Sequence, residues 1–170
     1  MPCAAARGWW SLAVSMLRLE LDSLIRVIFL LRQTPEVRSQ IIESSLAGDG
    51  RFRLLTSKGR LATVSDAEMV GAVDGLTGLE GWTRLVYEFG CSFIHLSSAH
   101  DYLARDPYQA LPVEEREIIA NYLRRYHGGA VDARSTFSVV TEYLPAVLEK
   151  ISRNLATYLV DVRAGRSRSG

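Results

Sequence analysis

A chain of 170 residues is long enough to bury one full core, and 48% apolar with 23% charged content is that of a globular domain. A net charge of +1 excludes a strongly electrostatic partner for the surface as a whole, so any nucleic-acid contact has to be a local patch. The only cysteines, Cys3 and Cys91, make no disulfide framework, which points to the reducing cytoplasm.

Residues 4–32 read as a first helix. Its apolar side chains, among them Leu12, Met16, Leu19, Leu24, Val27, Ile28 and Leu31, cover most of the circumference, as in a helix inside a bundle. One narrow stripe interrupts them: Arg18, Asp22 and Arg26, four apart, set a carboxylate between two guanidiniums. The stripe is either a solvated or interface ion-pair row, or it turns Asp22 or Arg26 toward a polar site within the bundle. Trp9-Trp10-Ser-Leu-Ala-Val-Ser-Met-Leu resembles a secretory leader's core, but Arg18, Glu20 and Asp22 follow at once with no small-residue cleavage pattern. No uncharged run approaches the roughly 20 residues that span a bilayer. The expectation is a soluble, cytoplasmic protein with no membrane partner.

Thr34-Pro35-Glu36 predicts a helix start, with a hydroxyl cap, a proline at the first helical position and an acid in the first turn; Gly48-Asp49-Gly50 ends that helix. Residues 51–64 predict a small hairpin or an irregular loop about Thr56-Ser-Lys-Gly59. Ser65-Asp-Ala-Glu68 fits a capping box opening a short helix to Val73. A long central helix is placed at 79–104. Asp106-Pro107-Tyr-Gln109 starts a short turn, and a helix runs from Pro112 to His127 with Gly128-Gly129 as its stop. The β-branched residues 135–143 fit helix or strand. Pro145 either kinks a helix or opens the last one, whose Val147, Leu148, Ile151, Leu155, Tyr158, Leu159 and Val162 form an apolar stripe. The fold class is all-α, a five- to seven-helix bundle in one domain over 1–164 with a disordered tail, 165–170.

On the 79–104 helix, Trp82, Leu85, Val86, Phe89, Phe93, Leu96, His100 and Leu103 share a core-facing side at about 100° per residue. Arg84, Glu88, Cys91, His95 and Tyr102 cluster opposite, a face either solvated or packed on a second surface. His95 thus has Cys91 one turn before it and Glu88 two turns before it. A carboxylate beside a histidine raises its pKa and orients its ring for acid–base work, or simply holds two helices together. His95, His100 and Asp101 are the one candidate metal-ligand group, though histidines five apart diverge by about 140° on a helix. A second cluster, Asn121-Tyr122-Leu-Arg124-Arg125-Tyr126-His127, sets cations in a last helical turn, where they complement the dipole; arginines between tyrosines also suit single-stranded RNA.

The run Val86-Tyr87-Glu88-Phe89-Gly90-Cys91-Ser92-Phe93-Ile94-His95-Leu96-Ser97, with Leu21-Asp22-Ser-Leu-Ile-Arg26 in the first helix, resembles HEPN-like helical proteins of bacteria, including abortive-infection proteins; the resemblance spans Leu17 to Leu103. It implies a helical homodimer with an RNA-related or defence-related role and no cofactor. Ribonucleases of that family carry an arginine four to six residues before a histidine. His95 matches the histidine, but the arginine's place holds Glu88, Phe89 and Gly90; Arg84 lies further back, and Arg124 is too near His127. The resemblance therefore implies a non-catalytic module that binds RNA or a partner protein; the arginine-tyrosine pattern beyond it, not the resemblance, offers Arg124, Arg125, Tyr126 and His127 as nucleic-acid contacts. A metal-independent ribonuclease using His95, Glu88 and Arg84, and a metal-dependent hydrolase using His95, His100 and Asp101, are the alternatives.

Overall fold

The computed structural model describes residues 10–48, 50–56, 58–74, 81–94 and 105–167. The described residues form six helices, a five-residue helical turn and one small hairpin: α1 (Trp10–Leu31), α2 (Pro35–Ala47), β1 (Arg53–Leu55), β2 (Leu61–Thr63), α3 (Asp66–Val73), α4 (Trp82–Ile94), α5 (Val113–His127), α6 (Phe137–Thr141) and α7 (Leu144–Arg163). The all-α bundle with a hairpin at 51–64 is thus observed, and within 135–143 the residues Phe137–Thr141 form a helical turn rather than a strand.

The central helix is α1, buried on most sides but not all, since Leu12, Met16 and Leu19 lie on an exposed stripe rather than inside the bundle. Twelve of its 22 residues are buried, from Ala13 to Leu31, and α3, α4 and α7 pack against it. α7 runs alongside in the same direction. Val14 and Leu17 meet Leu144 and Val147 near the helix starts, Glu20 accepts from the Ser152 hydroxyl at 2.8 Å, and Arg38 reaches Ser167 at 2.8 Å beyond the ends. Of the predicted 79–104 helix, the described part is the 13-residue α4; its Trp82, Leu85, Val86 and Phe93 are buried as the apolar spacing requires. His95, His100 and Asp101 lie outside the described residues.

Local chemistry sets the element ends. Thr34 Oγ1 accepts from the Val37 amide at 3.4 Å, and the Ser65–Glu68 capping box closes with both reciprocal bonds. α5 stops at Gly128, whose φ of +64° is a left-handed conformation that glycine adopts without strain. Asp74 caps α4 from a distance, accepting from the Gly81 and Thr83 amides at 3.0 and 3.2 Å. Asp106 accepts from the Tyr108, Gln109 and Phe137 amides at 2.9, 3.0 and 2.7 Å, tying the turn before α5 to the start of α6. Arg166 pairs with Asp161 at 2.8 Å and Ser167 accepts from the buried Arg38, so the chain through Ser167 folds back on the bundle.

The Arg18-Asp22-Arg26 stripe is a three-helix junction. Arg18 is buried, lies 3.5 Å from the Tyr87 ring centre, donates from Nε to Cys91 Sγ at 3.4 Å and sits 3.7 Å from Asp22. Arg26 bonds Asp22 at 3.2 Å and Asp66 at 3.0 Å, and the Tyr87 hydroxyl donates to Asp66 at 3.2 Å. Burial pushes the Tyr87 hydroxyl up to about 12 while the Arg18 charge opposes it. Each charge has a partner, so the network joins α1, α3 and α4. An apolar cavity of about 50 Å³ beside it, lined by Leu17, Val86, Phe137 and Leu144 among others, is far below the 300 Å³ or more of ordinary ligand pockets.

Candidate nucleic-acid interface

The last turn of α5 meets the side of α7 at a polar depression of about 360 Å³ lined by Tyr126, His127, Glu149, Lys150, Arg153 and Asn154. One feature of each helix builds it. The stripe of Leu144, Val147 and Ile151 faces the core, and this turns residues 149, 150, 153 and 154 away from it, toward α5. On α5, Tyr122 is buried and holds the register of the helix by stacking on Trp82 of α4, ring centres 3.4 Å apart and planes 5° from parallel.

Lys150 crosses the gap. Its Nζ lies 3.4 Å from the centre of the Tyr126 ring and 5.3 Å from that of Tyr122, a cation held over two π-faces. It has no ion-pair partner among the described residues, and burial lowers its pKa from the usual lysine value. His127 is also half-buried. Its Nε2 is shielded from solvent with no hydrogen-bond partner among the described residues, and burial, followed by the nearby Lys150 charge, lowers its pKa. Both effects favour the neutral imidazole, whose enclosed Nε2 keeps its hydrogen-bonding capacity unused. Arg125 is exposed, 5.5 Å from the Tyr126 centre, with no carboxylate partner among the described residues. Arg153 is paired with Glu149 at 2.6 Å. Two cations line the depression against one carboxylate, with Arg125 exposed beside Tyr126, a positive patch inside a nearly neutral chain.

The residues predicted from sequence divide accordingly. Tyr126 and His127 line this depression, and Arg125 is exposed beside Tyr126 without lining it. Arg124 does not join them: its guanidinium donates to Val131 O at 2.6 Å, bonds Asn121 Oδ1 and pairs with Glu117 at 3.4 Å, so it fastens the loop after α5. Arg84 and Glu88 are exposed on α4 with no hydrogen-bond or ion-pair partner among the described residues, so these two side chains are solvated. Cys91 is half-buried and engaged by Arg18. Among the described residues, no three His, Cys, Asp or Glu side chains are grouped to hold a metal ion, and no helix is long and apolar enough to cross a membrane.

Lys150, Arg153 and Asn154 were not legible as site residues, because the last helix reads first as an apolar stripe. The signal that points to Lys150 is its rarity, since Lys58 is the only other lysine. Comparison with family models, with curated proteins and with solved structures finds no match to this chain.

Proposed function

We propose that this chain is a non-catalytic helical module of HEPN-like type that binds single-stranded RNA at the α5–α7 depression, in a defence-related or other RNA-related role and as a homodimer. The observation that carries the reading is the Lys150–Tyr126–Arg125 cluster beside His127. Cations set among aromatic rings are what a single strand needs, since phosphates take the charge and unstacked bases take the π-faces and polar edges. The volume of about 360 Å³ is at the lower end for a ligand pocket, which suits one nucleotide unit rather than a duplex.

A polarised-fluorescence titration of a short labelled single-stranded RNA tests this. The reading expects saturable binding that weakens steeply with salt, with the RNA recovered intact. Lys150→Met, which keeps the apolar stem, is expected to weaken binding about tenfold, in line with 1–3 kcal/mol for a base-stacking or phosphate contact. Cleavage of the RNA that disappears in His95→Ala would replace the binding reading with the ribonuclease one. Sedimentation velocity tests the homodimer.

A further inference from the structure

The β1–β2 hairpin has its own partner chemistry, apart from the α5–α7 depression. Between Gly50 and Ser65 stand Arg51, Arg53, Lys58 and Arg60 with no carboxylate. The chain's net charge of +1 therefore conceals a hairpin of +4 set against a remainder of −3. The pairing is antiparallel, Arg53 with Thr63, Leu54 with Ala62 and Leu55 with Leu61. Directly paired residues share a face and alternate pairs oppose. The inner face is anchored, with Phe52, Leu54 and Val64 packed on the core and Phe52 stacked on Phe29 at 6.4 Å. The outer face carries the Leu55–Leu61 pair, 56% and 53% exposed, next to a turn closed by Thr56 N–H to Arg60 O at 2.8 Å. Lys58 and Arg60 are exposed on that turn. An adjacent pair of half-exposed leucines at a cationic tip is unlike a solvated turn, which is ordinarily polar.

We propose that this hairpin docks the protein on an anionic phospholipid surface, with Leu55 and Leu61 entering the headgroup layer and Lys58 and Arg60 pairing with lipid phosphates. Charge complementarity selects an anionic partner. The leucine pair selects a lipid layer over a nucleic acid, because a phosphate backbone satisfies the cations but offers no apolar layer beside them. The net negative remainder of the chain is repelled by the same surface, which orients the hairpin toward it. A surface contact of this kind needs no membrane-spanning helix.

The test is co-sedimentation of the full chain with vesicles of phosphatidylcholine alone and of an equal mixture with phosphatidylglycerol. The expected result is binding to the mixed vesicles only, reversed by salt. Lys58→Gln/Arg60→Gln lowers the partition coefficient by about 25-fold, roughly fivefold for each cation removed. Leu55→Ser/Leu61→Ser also releases the protein, while circular dichroism of both variants stays that of the parent. Equal binding to both vesicle types, no binding to either, or unchanged binding of both variants overturns the proposal. So does an RNA duplex that binds the parent and loses the Lys58→Gln/Arg60→Gln variant while neither vesicle binds.

Discussion

Gly90 sits in the middle of α4 where the stem of Arg18 crosses it. A Cβ built at Gly90 would lie 2.8 Å from Arg18 Cβ and 3.1 Å from its Cγ and Cδ. The nearest atom is fixed to the α1 backbone, so the clash cannot be relieved by a rotamer change at the far end of the side chain. Gly90→Ala gains about 1 kcal/mol of helix propensity and loses about 1–3 kcal/mol to overpacking as α1 and α4 separate. The net expectation is a loss of about 1 kcal/mol, a fall in Tm of about 2–4 °C for a chain of this size. Gly71 in α3 is the matched control, with nothing within 4 Å of its built Cβ; Gly71→Ala is expected to gain about 1 kcal/mol by propensity alone. Urea unfolding of the two variants beside the parent decides the matter. If Gly90→Ala is stabilised as much as Gly71→Ala, the close approach of Arg18 to α4 is refuted.

Three further outcomes are expected. Asp106→Ala removes an acceptor shared by three backbone amides and should cost about 2–3 kcal/mol, whereas Asp106→Asn should recover part of it; equal losses in urea melts would show that the bonds contribute nothing specific. His127 has its pKa lowered below 6.5, so in the interval below 6.5 the unfolded chain binds more protons than the folded one. Its contribution therefore favours folding fully above pH 6.5 and is lost as pH falls through that interval; the loss between pH 7 and 5 should be smaller in His127→Gln, and an identical pH profile would show the imidazole to be solvated. The Tyr108 hydroxyl, buried and pushed up to about 12, faces the Arg116 and Asp132 carbonyls at 2.9 and 3.1 Å, so Tyr108→Phe should cost about 1 kcal/mol and free the loop before α6 for faster amide exchange.

Much of the fold was written in local signals. The Thr34 and Ser65 caps, the proline before α5 and Gly128 after it act within a few residues and need no tertiary context, so their helices begin and end where the sequence reads. The apolar character of residues 10–31 announced a largely buried helix, but not which side stays open: Leu12, Met16 and Leu19 are exposed and Arg18 is buried. What the sequence did not convey is partnership across helices. Arg124 looked like a phosphate ligand because its bond to Val131 O depends on a loop path that periodicity does not describe. Conversely, Lys150 was hidden because its role comes from Tyr122 and Tyr126, more than twenty positions away along the chain. The solvent exposure of Arg84 and Glu88 has the same origin: a helix face is polar in sequence whether it meets water or a second surface.

The most direct measurement of the central claim is the affinity of a short single-stranded RNA for the parent and for Lys150→Met, with their melting curves compared. Lys150 has no ion pair among the described residues, and losing the charge over Tyr126 trades about 0.5–2 kcal/mol of cation–π attraction against relief of the amine's burial. The account predicts similar melting temperatures and about tenfold weaker binding for the variant. Equal affinity of two equally stable proteins, or no RNA binding by the parent, contradicts it.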